Sequence, residues 1–269
     1  MRRRVSKASK YPVKSLIKAL RILDALGESS TGCSITELSR ELKIGKSTVH
    51  RLLATLKDVG YVMVDPLTSR YTLGSTIARL AEQLSHQSPL LNLGTPTMQL
   101  LSRDCNETTN LATLEGRDVL YIAKQDSPEP LRMSGQVGRR LPAYSTALGK
   151  ALLAALSDRE VRRLYGGANK LRKLTPNTID SLDDLTAELE TIRREGFAFD
   201  REETYIGVQC LAAAVRDHSG KVVAAISISA PKHRMTPESK RLWKDALLRR
   251  TRELSEKLGY VPPESKAAG

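Results

Sequence analysis

Cys210 is the one residue in this chain whose sequence neighbourhood suggests nucleophilic chemistry, with Asp200 before it and His218 after it. A reactive thiol needs an electropositive, partly exposed setting. Cys210 instead sits in the apolar run Gly207–Arg216, where a cysteine ordinarily packs. Two fragments look like the end of a phosphate loop, Gly45-Lys46-Ser47 and Gly149-Lys150-Ala151. The pattern requires a glycine five residues earlier, and those positions are Arg40 and Tyr144. No serine elbow and no HExxH occur. His50, His86, His218 and His233 are isolated, so no metal or cofactor is expected. Asp200, Cys210, Ser227 and Ser229 fall at strand ends as small polar groups. They fit either a few donors in an apolar ligand pocket or ordinary core-edge residues.

A second set of residues suits nucleic acid. Lys46, Ser47, Thr48, His50, Arg51 and Thr55 combine ammonium, guanidinium, hydroxyl and imidazole groups, which bind phosphates and base edges. Val49, Leu52, Leu53 and Leu56 interleave with them at i, i+3, i+4, i+7. The segment therefore reads as a helix with one dry face and one donor-rich face. Ser34 with Glu37 forms a capping box for a preceding helix to about Leu42, with Ile35, Leu38 and Leu42 on one face. Two short helices with this division of faces describe a helix-turn-helix whose second helix enters the major groove. Tyr61–Val64 and Arg70–Leu73 read as strands around an Asp65-Pro66-Leu67-Thr68 turn. That hairpin adds a wing, with Arg70 expected to touch DNA backbone or minor groove.

The elements that must position these residues extend in both directions. Ser15 is expected to cap a helix through about Leu26 that buries Leu16, Ala19, Leu20, Leu23 and Leu26. Gly74–His86 reads as a linker helix with Ile77, Leu80, Ala81 and Leu84 on one stripe, either packed on its own domain or paired with a second copy. Another helix is expected at about 90–104. Strands follow at Thr108–Thr113, Val119–Lys124 and Leu131–Ser134. Pro142–Leu156 turns from loop into helix, and helices are expected over Asp158–Tyr165 and Ser181–Glu195, the latter closed by Gly196. Gly207–Arg216 and Lys221–Ala230 form two apolar strands, and a last helix starts at Thr236-Pro237-Glu238 and runs to about Leu258. Mixed hairpins and helices imply an α+β domain around a largely antiparallel sheet. The expected division is 13–74 for the DNA-binding domain, 75–88 for the linker helix and 89–261 for the second domain.

Charge supports this division. The 269 residues carry a net charge of +13, of which +9 falls in residues 1–80 and +4 in the remaining 189. A basic first third on a nearly balanced remainder suggests a polyanion-binding module joined to something else. The three cysteines, Cys33, Cys105 and Cys210, form no pair by spacing, which suits a reducing cytoplasm. The basic start MRRRVSKASKYP has no apolar segment after it and reads as a loose arm. No apolar run approaches the ~18 residues of a membrane span. The last residues, Pro262–Gly269, read as a frayed tail.

Taken in order, several fragments resemble the IclR family of bacterial transcriptional regulators over about 14–259. They are Ser15-Leu16 with Ala19–Leu23, Lys46–Leu53, Gly60-Tyr61-Val62, Arg70–Gly74, Arg139–Pro142 and Thr146–Ala151. Phe199–Glu203, Gly207–Ala213 and Ala224–Ala230 complete the set. The resemblance implies a winged helix-turn-helix followed by a GAF-like effector-binding domain. It also implies dimers or tetramers on palindromic double-stranded operators, acting as repressors or activators. It places a small, often carboxylate-bearing effector against Ala147, Leu148, Asp200, Cys210, Ser227 and Ser229, with Met133 and Leu141 as apolar wall. Backbone N–H groups at 147–148 would meet the carboxylate. Ala147 and Leu148 stand where the family often carries glycine and a small residue, which implies a reshaped pocket. Lys43 and Gly45 replace the usual Gly and Pro before the recognition helix, which implies a looser turn. The rival readings are a ligand-free architectural DNA-binding protein and an enzyme with Cys210 as nucleophile.

Overall fold

The computed structural model of the chain describes residues 12–133, 136–166 and 170–262, with backbone alone over 84–87. Its contacts divide the chain between Gln87 and Ser88 into two compact units.

The first unit holds α1 (Lys14–Glu28), α2 (Ile35–Leu42), α3 (Lys46–Asp58), the hairpin β1 (Val62–Val64) and β2 (Tyr71–Leu73), and α4 (Ser75–Gln87). The α2 capping box forms as expected: the Ser34 hydroxyl accepts the Glu37 N–H, and the Glu37 carboxylate accepts the Ser34 N–H. Its core joins Ile22, Ala25 and Leu26 of α1 to Leu38 and Leu42 of α2, Val49 and Leu53 of α3, and Val62 of the hairpin. Two expectations for α1 need correction. Val13 is its N-cap and makes no side-chain cap bond, so Ser15 lies inside the helix. The buried face is Ile22, Ala25 and Leu26, whereas Leu16 and Leu20 are 56% and 46% exposed. Only the second half of α1 crosses the small core, which leaves Val13, Leu16, Ile17 and Leu20 as an apolar stripe open to solvent.

The second unit begins with α5 (Pro89–Cys105), where Ser88 caps the helix and Pro89 takes the first position. A six-stranded, wholly antiparallel sheet follows in the order β5-β4-β3-β8-β7-β6. Its strands are β3 (Thr108–Glu115), β4 (Asp118–Gln125), β5 (Arg140–Pro142), β6 (Ala198–Arg201), β7 (Val208–Arg216) and β8 (Val222–Pro231). The helices are α6 (Ala147–Leu153), α7 (Asp158–Leu164), α8 (Leu182–Glu195) and α9 (Pro237–Lys257). This is the expected α+β architecture, a helical winged domain followed by a mixed domain built on an antiparallel sheet.

Strand alternation decides what each face meets. On β8, Ala224, Ile226, Ile228 and Ala230 point to one core with Met98 and Leu101 of α5 and Leu247 and Leu254 of α9. Ala225, Ser227 and Ser229 point the other way, toward the face covered by α6 and α8, where Ala147, Leu148, Leu185 and Leu189 form a second core. The strand expected at Leu131–Ser134 is a correction. Residues 131–133 are irregular, Ser134 lies outside the described residues, and the edge position beside β4 is filled by β5. Pro128 and Pro130 sit just before that stretch and supply no N–H for a ladder. The N-terminal arm (1–11) and residues 263–269 of the tail also lie outside the described residues.

Candidate functional site

Two groupings of polar side chains stand out, one in each unit. On α3 the apolar stripe is buried as expected, with Val49 and Leu53 fully enclosed. Lys46, Ser47, His50 and Arg51 are exposed and Thr48 is half-buried. Among the described residues none of these five side chains has a partner, so their donors face water. The turn before α3 is tied rather than loose. Lys43 takes the left-handed conformation at φ 55°, while the Ser39 hydroxyl donates to Ile44 O at 2.7 Å and Ile44 packs into the core. This corrects the looser turn implied by the missing Gly and Pro.

Arg70 also departs from expectation. Its Nη2 donates to Gly32 O at 2.7 Å and to Glu37 Oε2 at 3.1 Å, and its Nε donates to Thr31 O at 3.0 Å. The guanidinium therefore ties the hairpin to the loop ahead of α2 instead of reaching outward. Cys33 pairs through its backbone with Tyr71 beside it, which extends the attachment. An open groove next to Arg70 is walled by Glu28, Glu37, Arg40 and Glu41.

In the second unit, sheet register assembles a polar row. Thr108 pairs with Ser229, Ser229 with Cys210, and Cys210 with Asp200 across β3, β8, β7 and β6. Directly opposed residues in antiparallel strands share a face, so Asp200, Cys210 and Ser229 lie side by side. The next rung pairs Asn110 with Ser227. The Asn110 amide donates to both Ser227 Oγ and Ser229 Oγ at 3.3 Å, which holds the two hydroxyls in place.

Facing this row is the start of α6. Thr146 caps it by accepting the Gly149 N–H at 3.0 Å, and a Cβ at Gly149 would lie 2.1 Å from Ala143 O. Only glycine allows the helix to lie so close to the 143–145 turn. The N–H groups of Ala147 and Leu148, in the first turn, have no acceptor within the helix. Between α6 and the sheet lies a small cavity of about 60 Å³. That is room for several waters or one molecule of a few heavy atoms. Ala147, Leu148, Asp200, Cys210, Ser227 and Ser229 all line it, with Met133 and Leu141 on the apolar side.

The structure adds lining residues that the sequence reading missed: Asn110, Tyr121, Arg139, Thr146, Thr204, Tyr205 and Val208. Asn110, Tyr121, Thr146 and Val208 lie on segments assigned from the sequence, whereas Arg139, Thr204 and Tyr205 lie on two that were not, the approach to β5 and the turn after β6.

Burial and charge shape the cavity. Asp200 is 4% exposed, and desolvation pushes its carboxyl up to about 7, with the nearby Glu203 carboxylate adding to the rise and the Glu203 N–H at 2.7 Å opposing it. Near neutral pH this carboxyl exists in both forms and can donate or accept. Behind it Lys150 is fully buried, its Nζ donating to Glu203 Oε1 (2.6 Å), Phe199 O (2.7 Å) and Glu188 Oε1 (3.0 Å). Burial, and then the Asp200 charge, push the Cys210 thiol upward, away from thiolate. His218 sits exposed in the turn at the opposite end of β7, about 26 Å away at the rise of an extended strand. Among the described residues Cys210 therefore has no histidine beside it, and its thiol, held away from thiolate, forms part of the cavity wall. Among the described residues no three His, Cys, Asp or Glu side chains could hold a metal ion, and no helix is long and apolar enough to cross a membrane.

A winged helix-turn-helix joined to a sheet domain with a largely apolar cavity carrying a few polar groups defines a class, the ligand-responsive DNA-binding proteins. Residues 15–66 match the IclR helix-turn-helix domain, and residues 82–256 match the C-terminal domain of IclR bacterial transcriptional regulators. The chain is 37% identical over 248 residues to the HTH-type transcriptional regulator KdgR of Escherichia coli strain K12, covering 92% of this chain and 94% of that one. It is 32% identical over 251 residues to the HTH-type transcriptional repressor AllR of Salmonella paratyphi A, covering 93% and 92%. The crystal structure of the Thermotoga maritima IclR superposes with a TM-score of 0.79 at 29% identity, covering 91% of this chain and 99% of that one. The chain belongs to the IclR family and is a helix-turn-helix transcriptional regulator.

Proposed function

We propose that this regulator is a repressor that binds palindromic operator DNA as a homodimer or tetramer and is modulated by a small carboxylate-bearing metabolite in the cavity of its C-terminal domain. The observation that carries the DNA-binding site is the outer face of α3. Lys46, Ser47, His50 and Arg51 are exposed without partners on a helix whose opposite face is sealed in the core. With Thr48 they reach base edges and phosphates in the major groove. Arg70 acts indirectly, by fixing the wing to the helical body.

Residues 13–74 serve as the DNA-binding domain, 75–88 as the linker and 89–261 as the effector domain, all working in the cytoplasm. The exposed stripe of Val13, Leu16, Ile17 and Leu20 supports a second copy beside the first, because such a stripe left in water favours association. Repression is supported by the 32%-identical relative named as a repressor. Effector binding is supported by the convergence of Asp200, Cys210, Ser227 and Ser229 with the first turn of α6 around one cavity.

Selection of binding fragments from random or genomic DNA tests this reading. It predicts one recovered pseudo-palindrome whose half-sites lie about 10 base pairs, or a multiple, apart. Recovery of unrelated fragments, all displaced by non-specific competitor, would favour the architectural reading instead.

A further inference from the structure

Among the described residues, the cavity lining includes one cation, and no carboxylate neutralises its charge. Lys150 behind the cavity is saturated by two carboxylates and a carbonyl. Arg139 is different. Its guanidinium lies 5.5 Å from the Tyr205 ring centroid and donates to the Tyr205 hydroxyl, a neutral partner. Among the described residues it forms no ion pair. Its main chain is fixed, since Arg139 O accepts the Tyr121 N–H at 3.0 Å and the Gly138 N–H donates to Tyr121 O at 2.7 Å. Arg139 and Tyr205 are the exposed members of the lining, so they stand where the cavity opens to water.

We infer that Arg139, held across the cavity mouth by Tyr205, is the residue that selects a negatively charged effector. The inference rests on the proposed sensor role of the cavity and names a residue that sets its ligand class. A carboxylate entering the cavity loses water and requires compensation. The deep side offers hydroxyls, an amide and the Asp200 carboxyl, none of which is positively charged. Arg139 carries the compensating charge, and its planar fork of donors matches a carboxylate better than it matches one phenol oxygen. The ligand exchanges the phenol for its own carboxylate, which has acceptor sites left for the Ala147 and Leu148 N–H groups. Hydroxyl or oxo groups on the same molecule then meet Asn110, Ser227 and Ser229.

The test is calorimetric titration of the full chain with two- to six-carbon hydroxy- and oxo-carboxylates, each beside its primary amide. The wild type should prefer at least one acid over its amide about tenfold or more, the range of a charge-assisted pair. Arg139→Gln should remove that preference by weakening the acid and sparing the amide, and Arg139→Lys should restore part of it. An acid preference unchanged in Arg139→Gln would overturn the inference while leaving the sensor reading intact. A wild type that binds no acid in the panel would overturn both.

Discussion

The recognition helix and the C-terminal cavity hold their polar groups in opposite ways. On α3 the donors stand apart on a solvated face and, among the described residues, have no side-chain partner. At the cavity they converge and are largely engaged: Asn110 with two serines, Asp200 with a backbone N–H and, behind the cavity, Lys150 with three acceptors. Exposed charges contribute little to folding and remain available to a polyanion. Buried ones are part of the fold, so changes there alter stability as well as binding.

The largest expected effect follows from that contrast. Lys150→Ala leaves the Glu203 carboxylate buried without its cation and should cost about 3–5 kcal/mol of stability. Scanning calorimetry should show it as a lower transition for the C-terminal unit. Lys46→Ala on α3 should stay within about 0.5 kcal/mol. Equal costs at the two lysines would erase the distinction.

Arg51→Ala should weaken specific DNA binding by ~1–3 kcal/mol if it reads a base, at fixed salt and with the melting temperature unchanged. A stability loss with intact operator affinity would move Arg51 from the interface to the structure.

Asp200 gives a pH signature that α3 lacks. Its folded carboxyl, pushed up to about 7, holds its proton more tightly than in the unfolded chain, where the ordinary value is 3.8. The folded state thus binds more protons between those values. The contribution is fully present below the unfolded value and is lost as pH rises through about 7, at no more than about 1.4 kcal/mol per pH unit. Asp200→Asn should remove that loss, so its melting temperature relative to wild type should climb between pH 4 and 8. A difference independent of pH would mean that Asp200 is not desolvated.

The smallest effect lies at the turn before α3. Lys43 sits at φ 55°, a conformation disfavoured for any residue with a side chain. Lys43→Gly should stabilise the first unit by about 0.5–1 kcal/mol, the strain relieved less the added freedom of the unfolded chain. Thermal melts of residues 12–87 within the intact chain would show it as a higher first transition.

The same contrast explains what could be read from sequence. The α3 face was legible because one helix carries its whole pattern, Val49, Leu52, Leu53 and Leu56 against Lys46, Ser47, His50 and Arg51. Half of the cavity was legible through the strands of Asp200, Cys210, Ser227 and Ser229 and through resemblance. The other half was not, since Asn110 becomes a neighbour of Ser227 only through strand register, which no local pattern encodes. Arg139 and Tyr205 lie on irregular segments 66 residues apart. The one cue was Phe197-Ala198-Phe199-Asp200, an alternating run after Gly196 that could have announced β6 and the turn behind it. The α1 error had a different cause. Its apolar residues occupy two faces, and the sequence does not say which one the small core covers.

The proposed sensor role requires that one molecule in the cavity change how tightly α3 holds DNA. Fluorescence anisotropy of the selected operator, with and without a saturating acid from the calorimetric panel, tests it most directly. Operator Kd should change by about 5- to 150-fold, matched by an equal change in acid affinity when operator is present. An operator Kd unmoved by an acid that demonstrably fills the cavity would contradict it.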